Sequence, residues 1–171
     1  VDRQARIAKE FCEAQRAFDI KLAQTEEEAD RLWIARKVGS VALFRVSKMM
    51  IAEDATVPIS KIPAMVRRLK EIGEKYRTTI YLLAHAGDGN MHPLLTYDPA
   101  NKEETERIEN ATREIFESSI ALGGTLTGEH GIGLAKKPFI PLEISPAEMQ
   151  VWKNIKNCFD PNGIMNPGKF V

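Results

Sequence analysis

The dipeptide Asp88-Gly89 stands between two short apolar segments, and this arrangement constrains the fold more than any other feature of the sequence. The flanking segments, Thr79–Ala84 and Pro93–Tyr97, are rich in β-branched, aromatic and aliphatic side chains, which is typical of strands. An Asp-Gly pair favours a two-residue hairpin loop, because both loop residues need a positive φ. The sequence therefore predicts an antiparallel hairpin in which His85 lies directly opposite His92.

Helical patterns surround this hairpin on both sides, because apolar residues recur there at helical spacing. Gly39 is expected to end the second helix, and Ser145, Pro146 and Glu148 form a start signal for the last one. The predicted helices are Asp2–Ala17, a segment from just after Thr25 to about Val38, Lys61–Tyr76, Lys102–Leu122 and a segment from Ser145 to about Phe159, with a strand or extended stretch at Val41–Ile51. This order predicts an α+β fold with a small antiparallel sheet covered by helices.

Length and charge limit the classes of function. The 171 residues suit a single domain that spans the whole chain, and 24 basic side chains balance 24 acidic ones. No global field attracts nucleic acid or an anionic membrane surface. No apolar run approaches the ~20 residues of a membrane span, and a charged start argues against a signal peptide. Cys12 and Cys158 stand far apart, which fits a reducing cytosol and argues against a thiolate zinc site.

The three histidines of the chain all lie in glycine-rich, polar segments rather than on amphipathic helix faces. Opposed residues of an antiparallel pair have Cβ atoms ~5 Å apart on one face of the sheet. If the loop has two residues, His85 and His92 can share a metal ion at the ~2.1 Å nitrogen distance that zinc requires. A wider loop would change this pairing, so the geometry is a hypothesis.

The segment Gly128–Gly133 supplies the second half of the predicted site. Two histidines with one carboxylate form a familiar open metal site that leaves positions for water or substrate. Neighbouring side chains of an extended segment point to opposite sides, so only one of Glu129 and His130 is expected to bind the ion. We assign Glu129 as the ligand and His130 as a base beside it, and the reverse assignment stays open.

Other polar residues near these segments have structural interpretations. Asp88 and Asn90 are typical hairpin-turn residues. The acidic pair Glu53-Asp54 is interpreted as the cap of a turn before Pro58.

Five ordered motifs make the sequence resemble the C-terminal domain of the FAD-linked oxidases, the family that includes glycolate oxidase, D-lactate dehydrogenase and D-2-hydroxyglutarate dehydrogenase. The bacterial glycolate oxidase and D-lactate dehydrogenase branch is the nearest likeness. The motifs are Leu32–Lys37, Glu53–Pro58, His85–Pro93, Gly128–Gly133 and Phe159–Lys169.

The resemblance implies a ferredoxin-like domain that lies over an FAD held by a separate domain. It implies that His85, His92 and Glu129 bind a divalent metal (zinc, manganese or iron), that His130 is the catalytic base, and that Arg36 holds the substrate carboxylate. Asn166 and Lys169 are expected near the flavin. The implied reaction is oxidation of a D-2-hydroxy acid, glycolate or D-lactate first, in a cytoplasmic protein or one peripheral to the inner face of the membrane, with partner subunits as an option.

The sequence also departs from the family pattern. The FAD-binding part is missing, so the chain is expected to be a fragment of a longer protein and inactive by itself. Some relatives carry a lysine just before the acidic-Thr/Ser-Val-Pro motif, where this chain has Ala52 and Glu53, which argues against dicarboxylate substrates. Two other interpretations stay open: a metal-dependent hydrolase that needs no flavin, and a non-catalytic interaction module that binds no metal.

Overall fold

The computed structural model of the protein describes residues 2–43, 45 and 48–170. The chain divides into two compact units, Val1–Ala42 and Leu43–Val171. Among the described helices, none is both long enough and apolar enough to cross a bilayer.

The first unit is built from helix α1 (Asp2–Ala14) and helix α2 (Glu26–Leu43). The predicted start of α2 is confirmed, because the amide of Glu28 donates to Thr25 Oγ1 at 3.2 Å. The Glu28 carboxylate accepts the return hydrogen bond from the amide of Gln24, at 2.7 Å, rather than from that of Thr25. The cap therefore spans one residue more than a standard capping box.

The prediction that Gly39 ends the second helix is wrong. Helix α2 continues to Leu43. Of the predicted extended stretch Val41–Ile51, only the end is a strand, β1 (Met49–Ala52). An internal glycine costs a helix only about 1 kcal/mol, and a short apolar run does not by itself distinguish helix from strand. Residues 44, 46 and 47 of that stretch lie outside the described part of the chain.

The second unit combines a small antiparallel sheet with helices, which confirms the predicted α+β class. After β1, its elements are β2 (Ala55–Thr56), α3 (Ile62–Lys75), β3 (Ile80–His85), β4 (Asn90–Tyr97), α4 (Lys102–Ala121) and α5 (Pro146–Phe159), with short 3-10 turns at Ile59–Lys61 and Lys137–Leu142. The start of α5 is as predicted, because Ser145 and Glu148 exchange hydrogen bonds in a capping box.

Strand β4 is the centre of the sheet. It pairs with β3 along one edge and with β1 and then β2 along the other. The pairs Ala52↔Leu94 and Ala55↔Met91 belong to the same register, so β1 and β2 are one strand path interrupted between them. This order corresponds to the first five elements of a ferredoxin-like βαββαβ unit.

The place beside β2, where the last strand of that unit would lie, holds a bridge between Thr56 and Thr125. The chain leaving α4 therefore passes along the outer edge of β2. This path brings the segment that follows Thr125 to the sheet.

The two faces of the sheet have different roles because side chains alternate along each strand. Ala55, Met91 and Leu95 point to the face covered by α3 and α4. They form the core with residues of β2, α3 and α4 and their flanks: Val57, Met65, Leu69, Ile72, Ile108, Ala111 and Ile115. Asn90 and His92 alternate with these core residues and point to the opposite face.

An ion-pair cluster joins α3 to α4 on the outer side of the core. The carboxylate of Glu114 is 2.6 Å from Arg68 Nη2 and 2.5 Å from Lys75 Nζ. The hydrogen bond from Lys75 lowers the pKa of Glu114 below its usual 4.5. A lowered carboxyl pKa stabilises the folded state above pH 4.5, and this contribution is lost as the pH falls through the folded-state value.

We expect Glu114→Gln to lower the free energy of unfolding at about pH 7 and to make little difference once the wild-type carboxyl is protonated. Urea unfolding of both proteins at about pH 7 and at a pH low enough to protonate the wild-type carboxyl measures this. Glu109→Gln, an exposed carboxylate on the same helix, is the control. An equal loss of stability at both pH values would contradict the role of this ion pair.

A candidate metal centre

The β3–β4 hairpin places His85 and His92 on one face of the sheet. His85 pairs with Asn90, and His92 pairs with Leu83. The predicted direct pairing of the two histidines is therefore wrong, because the loop contains four residues, 86–89, rather than two. Since the register differs by two residues, both side chains keep the same face. Their ring centroids are 5.2 Å apart.

Backbone contacts explain the wider loop. The amides of Asp88 and Gly89 both donate to the His85 carbonyl oxygen, at 3.2 and 3.0 Å. The Gly89 carbonyl oxygen in turn accepts from the Val57 amide at 3.1 Å. A Cβ at Gly89, whose φ is +86°, would lie 2.0 Å from the Val57 carbonyl oxygen, so this position requires glycine. The Asp88 side chain accepts from the Asn90 amide at 2.9 Å, which is the predicted turn role.

His92 is nearly buried, with its side chain 11% exposed, and a backbone contact fixes its ring. Its Nδ1 lies 3.3 Å from the Glu53 carbonyl oxygen, which only accepts, so this contact favours the tautomer with the hydrogen on Nδ1. The carbonyl oxygen of Pro93 accepts from the Glu53 amide at 3.1 Å, but Pro93 has no N–H to donate in return. The Glu53 carbonyl oxygen is therefore available to His92. In that tautomer, Nε2 carries the lone pair that a metal ion would bind.

Glu129 points at both hairpin histidines. Its Oε1 lies 2.9 Å from His92 Nε2 and 3.7 Å from His85 Nε2. One ligand atom from each of the three residues lies within 4.8 Å of the others. The side chains of His85 and Glu129 are 44% and 52% exposed, so one side of the cluster is open to solvent. The structure thus brings together the three residues predicted as metal ligands.

His130 borders this cluster. Its ring stacks on that of His92, with centroids 5.2 Å apart and an interplanar angle of 17°. Its Nε2 lies 3.9 Å from Glu129 Oε1, and its Nδ1 lies 3.8 Å from Asp54 Oδ1, both longer than a hydrogen bond. The ring is half-exposed and lies next to the three ligand atoms without belonging to that set.

Asp54 is a site residue whose role the sequence did not reveal. The motif predicts a cap for a local turn, but the Asp54 side chain is fully buried and bonds the distant loop that carries Glu129. Its carboxylate accepts from Thr127, Gly128, Glu129, His130 and Lys136. The sequence carries no periodic signal for these contacts, because they join segments that are far apart in the chain.

Lys136 supplies the buried positive charge beside Asp54. Its Nζ donates to Asp54 and lies 3.6 Å from Glu53 Oε2. Burial lowers the pKa of Lys136, and the negative charge of Glu53 opposes this change. Burial likewise raises the pKa of Glu53, against the effect of the Lys136 charge. The carboxylates of Glu53 and Asp54 and the ammonium group of Lys136 therefore lie together beside the loop that carries Glu129.

The remaining predicted site residues lie elsewhere. Arg36, the predicted carboxylate clamp, is exposed on α2 of the first unit. Asn166 and Lys169, predicted near the flavin, line a groove of about 550 Å³ in the second unit. The groove is otherwise lined by Trp152, Ile155, Lys156, Phe159 and Phe170.

Comparison with known proteins gives one family over nearly the whole chain. The profile described as FAD linked oxidases, C-terminal domain, matches residues 1–170. Glycolate oxidase subunit GlcD of Bacillus subtilis is 45% identical over 169 residues, which cover 99% of this chain and 36% of that protein. A probable mitochondrial D-lactate dehydrogenase of Danio rerio is 34% identical over 174 residues, covering 100% of this chain and 35% of that protein.

A D-2-hydroxyglutarate dehydrogenase of Stutzerimonas stutzeri is 33% identical over 156 residues, covering 89% of this chain and 33% of that protein. The chain therefore spans about a third of the length of these curated relatives.

Gly128 allows the loop to approach the sheet closely. A Cβ at this position would lie 2.4 Å from Thr56 Oγ1 and 2.9 Å from the Asn90 side chain. We expect Gly128→Ala to displace Glu129 and to raise the Kd for zinc about tenfold or more, measured by competition with a chromophoric chelator.

Gly87→Ala on the hairpin loop is the matched control, because a Cβ there meets no atom of the described residues within 4 Å. It should bind zinc as the wild type does. Equal affinity in Gly128→Ala would show that close packing of this loop does not set the position of Glu129.

Proposed function

Because the chain belongs to the family of C-terminal domains of FAD linked oxidases, we propose that it forms the substrate- and metal-binding part of an FAD-dependent enzyme. The proposed reaction oxidises a 2-hydroxy acid to the 2-oxo acid. The grouping of His85, His92 and Glu129 carries this proposal. Glycolate and D-lactate are the first substrates to test, because relatives are named as a glycolate oxidase subunit and a D-lactate dehydrogenase.

The chemistry of the donor set fits a divalent metal. Two imidazole nitrogens and one carboxylate oxygen suit zinc, manganese or iron and leave coordination positions open. The contact of His92 Nδ1 with the Glu53 carbonyl oxygen supports this interpretation, because a hydrogen on Nδ1 would leave the lone pair of Nε2, which faces Glu129, for the ion. A bound ion would supply Lewis acidity that lowers the pKa of a substrate hydroxyl group.

The proposed roles of the other residues follow from their chemistry. Arg36 binds the substrate carboxylate through its planar guanidinium group. His130 accepts the hydroxyl proton, and Nε2 is the atom that does so because it lies on the side of Glu129. The half-exposed ring leaves room for substrate beside the ligand cluster.

FAD and further partners complete the proposal. Asn166 and Lys169 would contact FAD from their groove, and FAD, held mainly by another domain of the parent protein, would accept the hydride that leaves the substrate Cα. Partner subunits are part of the proposal because the Bacillus subtilis relative is named as a subunit. We also propose a cytoplasmic location, which two free cysteines support.

The edge of β1 favours a monocarboxylate substrate. Where some relatives carry a lysine that could hold a second carboxylate, this chain has Ala52 and Glu53. The Glu53 side chain is buried and lies 3.6 Å from Lys136, so this position offers no cation to a second substrate carboxylate.

We expect one divalent ion per chain in the wild type and almost none in His85→Ala, because a ligand to the ion is removed. Elemental analysis of the purified chain measures this, and His130→Asn should keep its metal. An ion lost in His130→Asn but retained in Glu129→Gln would reverse the two assignments. A wild-type chain that stays empty with added zinc or manganese would contradict the metal site and favour an interaction module.

In the parent enzyme, we expect His130→Asn to lower turnover with D-lactate or glycolate roughly 100- to 10,000-fold, because the proton acceptor is lost. Flavin and metal contents should match those of the wild type. Full activity in this variant would remove His130 from the role of base. Hydrolytic activity of the flavin-free chain would favour the metal-dependent hydrolase instead.

A further inference from the structure

Five donors converge on the carboxylate of Asp54, which is fully buried where β1 gives way to β2. Oδ1 accepts from the ammonium group of Lys136. Oδ2 accepts the other four hydrogen bonds, from the Thr127 hydroxyl at 2.9 Å and from the amides of Gly128, Glu129 and His130 at 2.9, 2.7 and 2.7 Å.

We propose that Asp54 is the positioning residue of the metal centre, whose negative charge holds residues 127–130 in the conformation that directs Glu129 toward the hairpin histidines. Three successive backbone N–H groups that point at one oxygen form a concave anion-binding arrangement. Their dipoles repel one another unless a negative charge lies at the focus. In this chain a side chain from the sheet provides that charge.

The same segment also fixes His92. The register of β1 and β2 on β4 places Asp54 opposite His92. One residue earlier, the Glu53 carbonyl oxygen contacts His92 Nδ1 at 3.3 Å. The backbone of Glu53 thus orients the ring of His92, and the side chain of Asp54 holds the backbone of Glu129. Two ligands that are distant in sequence depend on this short interruption of the sheet.

Lys136 offsets the free-energy cost of burying the Asp54 carboxylate, and it also holds a neighbouring part of the chain. Removal of a charge from water is costly unless an opposite charge and hydrogen bonds replace the lost hydration. Besides Asp54, Lys136 Nζ donates to the Leu126 carbonyl oxygen at 3.0 Å. The lysine therefore holds the residue that precedes the loop, while Asp54 holds the loop itself.

Asp54→Asn tests the proposal because it keeps the shape of the side chain and removes its charge. The new NH₂ group must face either the four donors at Oδ2 or the ammonium group of Lys136. In the metal-free chain, we expect amide hydrogen exchange at Gly128, Glu129 and His130 to quicken about tenfold or more, measured by NMR. We expect the Kd for zinc to rise about 10- to 100-fold.

Asp160→Asn is the matched control. Asp160 is also buried, and it accepts from Lys156 and from the amides of Ile164 and Met165. This variant should lose stability as well, yet leave both exchange at residues 128–130 and the Kd for zinc unchanged. Such a result would separate a positioning role from a general loss of stability.

Thr127→Val is the second variant, for the case that Asp54→Asn does not fold. It removes one of the four donors to Oδ2 and should change the exchange rates and the Kd for zinc in the same direction, by smaller factors. Wild-type exchange rates and affinity in Thr127→Val would then overturn the proposal.

The positioning role of Asp54 rests on the proposed metal site. Hydrogen exchange and the Kd for zinc together show which of the two proposals fails. Faster exchange in Asp54→Asn with a wild-type chain that binds no zinc would uphold the loop-holding role and refute the metal site. Unchanged exchange in a folded Asp54→Asn would overturn the positioning role, whatever the zinc result. Faster exchange with an unchanged Kd for zinc would also overturn it, because the loop would then not set the ligand.

Discussion

Strand β4 is hydrogen-bonded along both of its edges, and the candidate metal centre depends on this constraint. A strand held on both sides cannot shift its register by one residue without moving every side chain to the opposite face. Met91 and Leu95 anchor one face against α3 and α4, so Asn90 and His92 are fixed on the other. Core packing thus decides the face on which His92 lies, and the contact with the Glu53 carbonyl oxygen orients its ring.

The cost of this arrangement is a group of charges away from water. Glu53, Asp54 and Lys136 are all buried, and burial opposes ionisation in Glu53 and Lys136 alike. A buried ion pair often adds little to stability, but removing one partner leaves an uncompensated charge. The benefit here is geometric: hydrogen bonds to one carboxylate define the path of residues 127–130, none of which has an apolar side chain.

Local signals in the sequence were sufficient for much of the fold. The cap at Ser145, the hairpin and the amphipathic patterns of α3 and α4 depend on residues a few positions apart, which sequence spacing reports directly. The three candidate ligands were also found, because histidines in glycine-rich segments are conspicuous. Gly39 gave a false helix end, since a glycine within a helix costs only about 1 kcal/mol.

The contacts that were missed are those made across the fold. The loop at 86–89 is widened by a backbone hydrogen bond to Val57, and the role of Asp54 requires the loop after α4 to pass beside β2. Neither contact produces a periodic pattern of residues in the sequence. The histidines nevertheless share a face, because a register error of two residues preserves side-chain direction whereas an error of one would have separated them.

The unequal exposure of the candidate ligands has a kinetic consequence. His92 is nearly enclosed, whereas His85 and Glu129 are about half-exposed. An ion held by these three residues would meet water and chelators from one side, so ligand exchange would start at His85 and Glu129, and the bond to His92 would break last. Because that side is open to solvent, a chelator would reach the ion without any opening of residues 127–130, and removal would quicken as the chelator concentration rises.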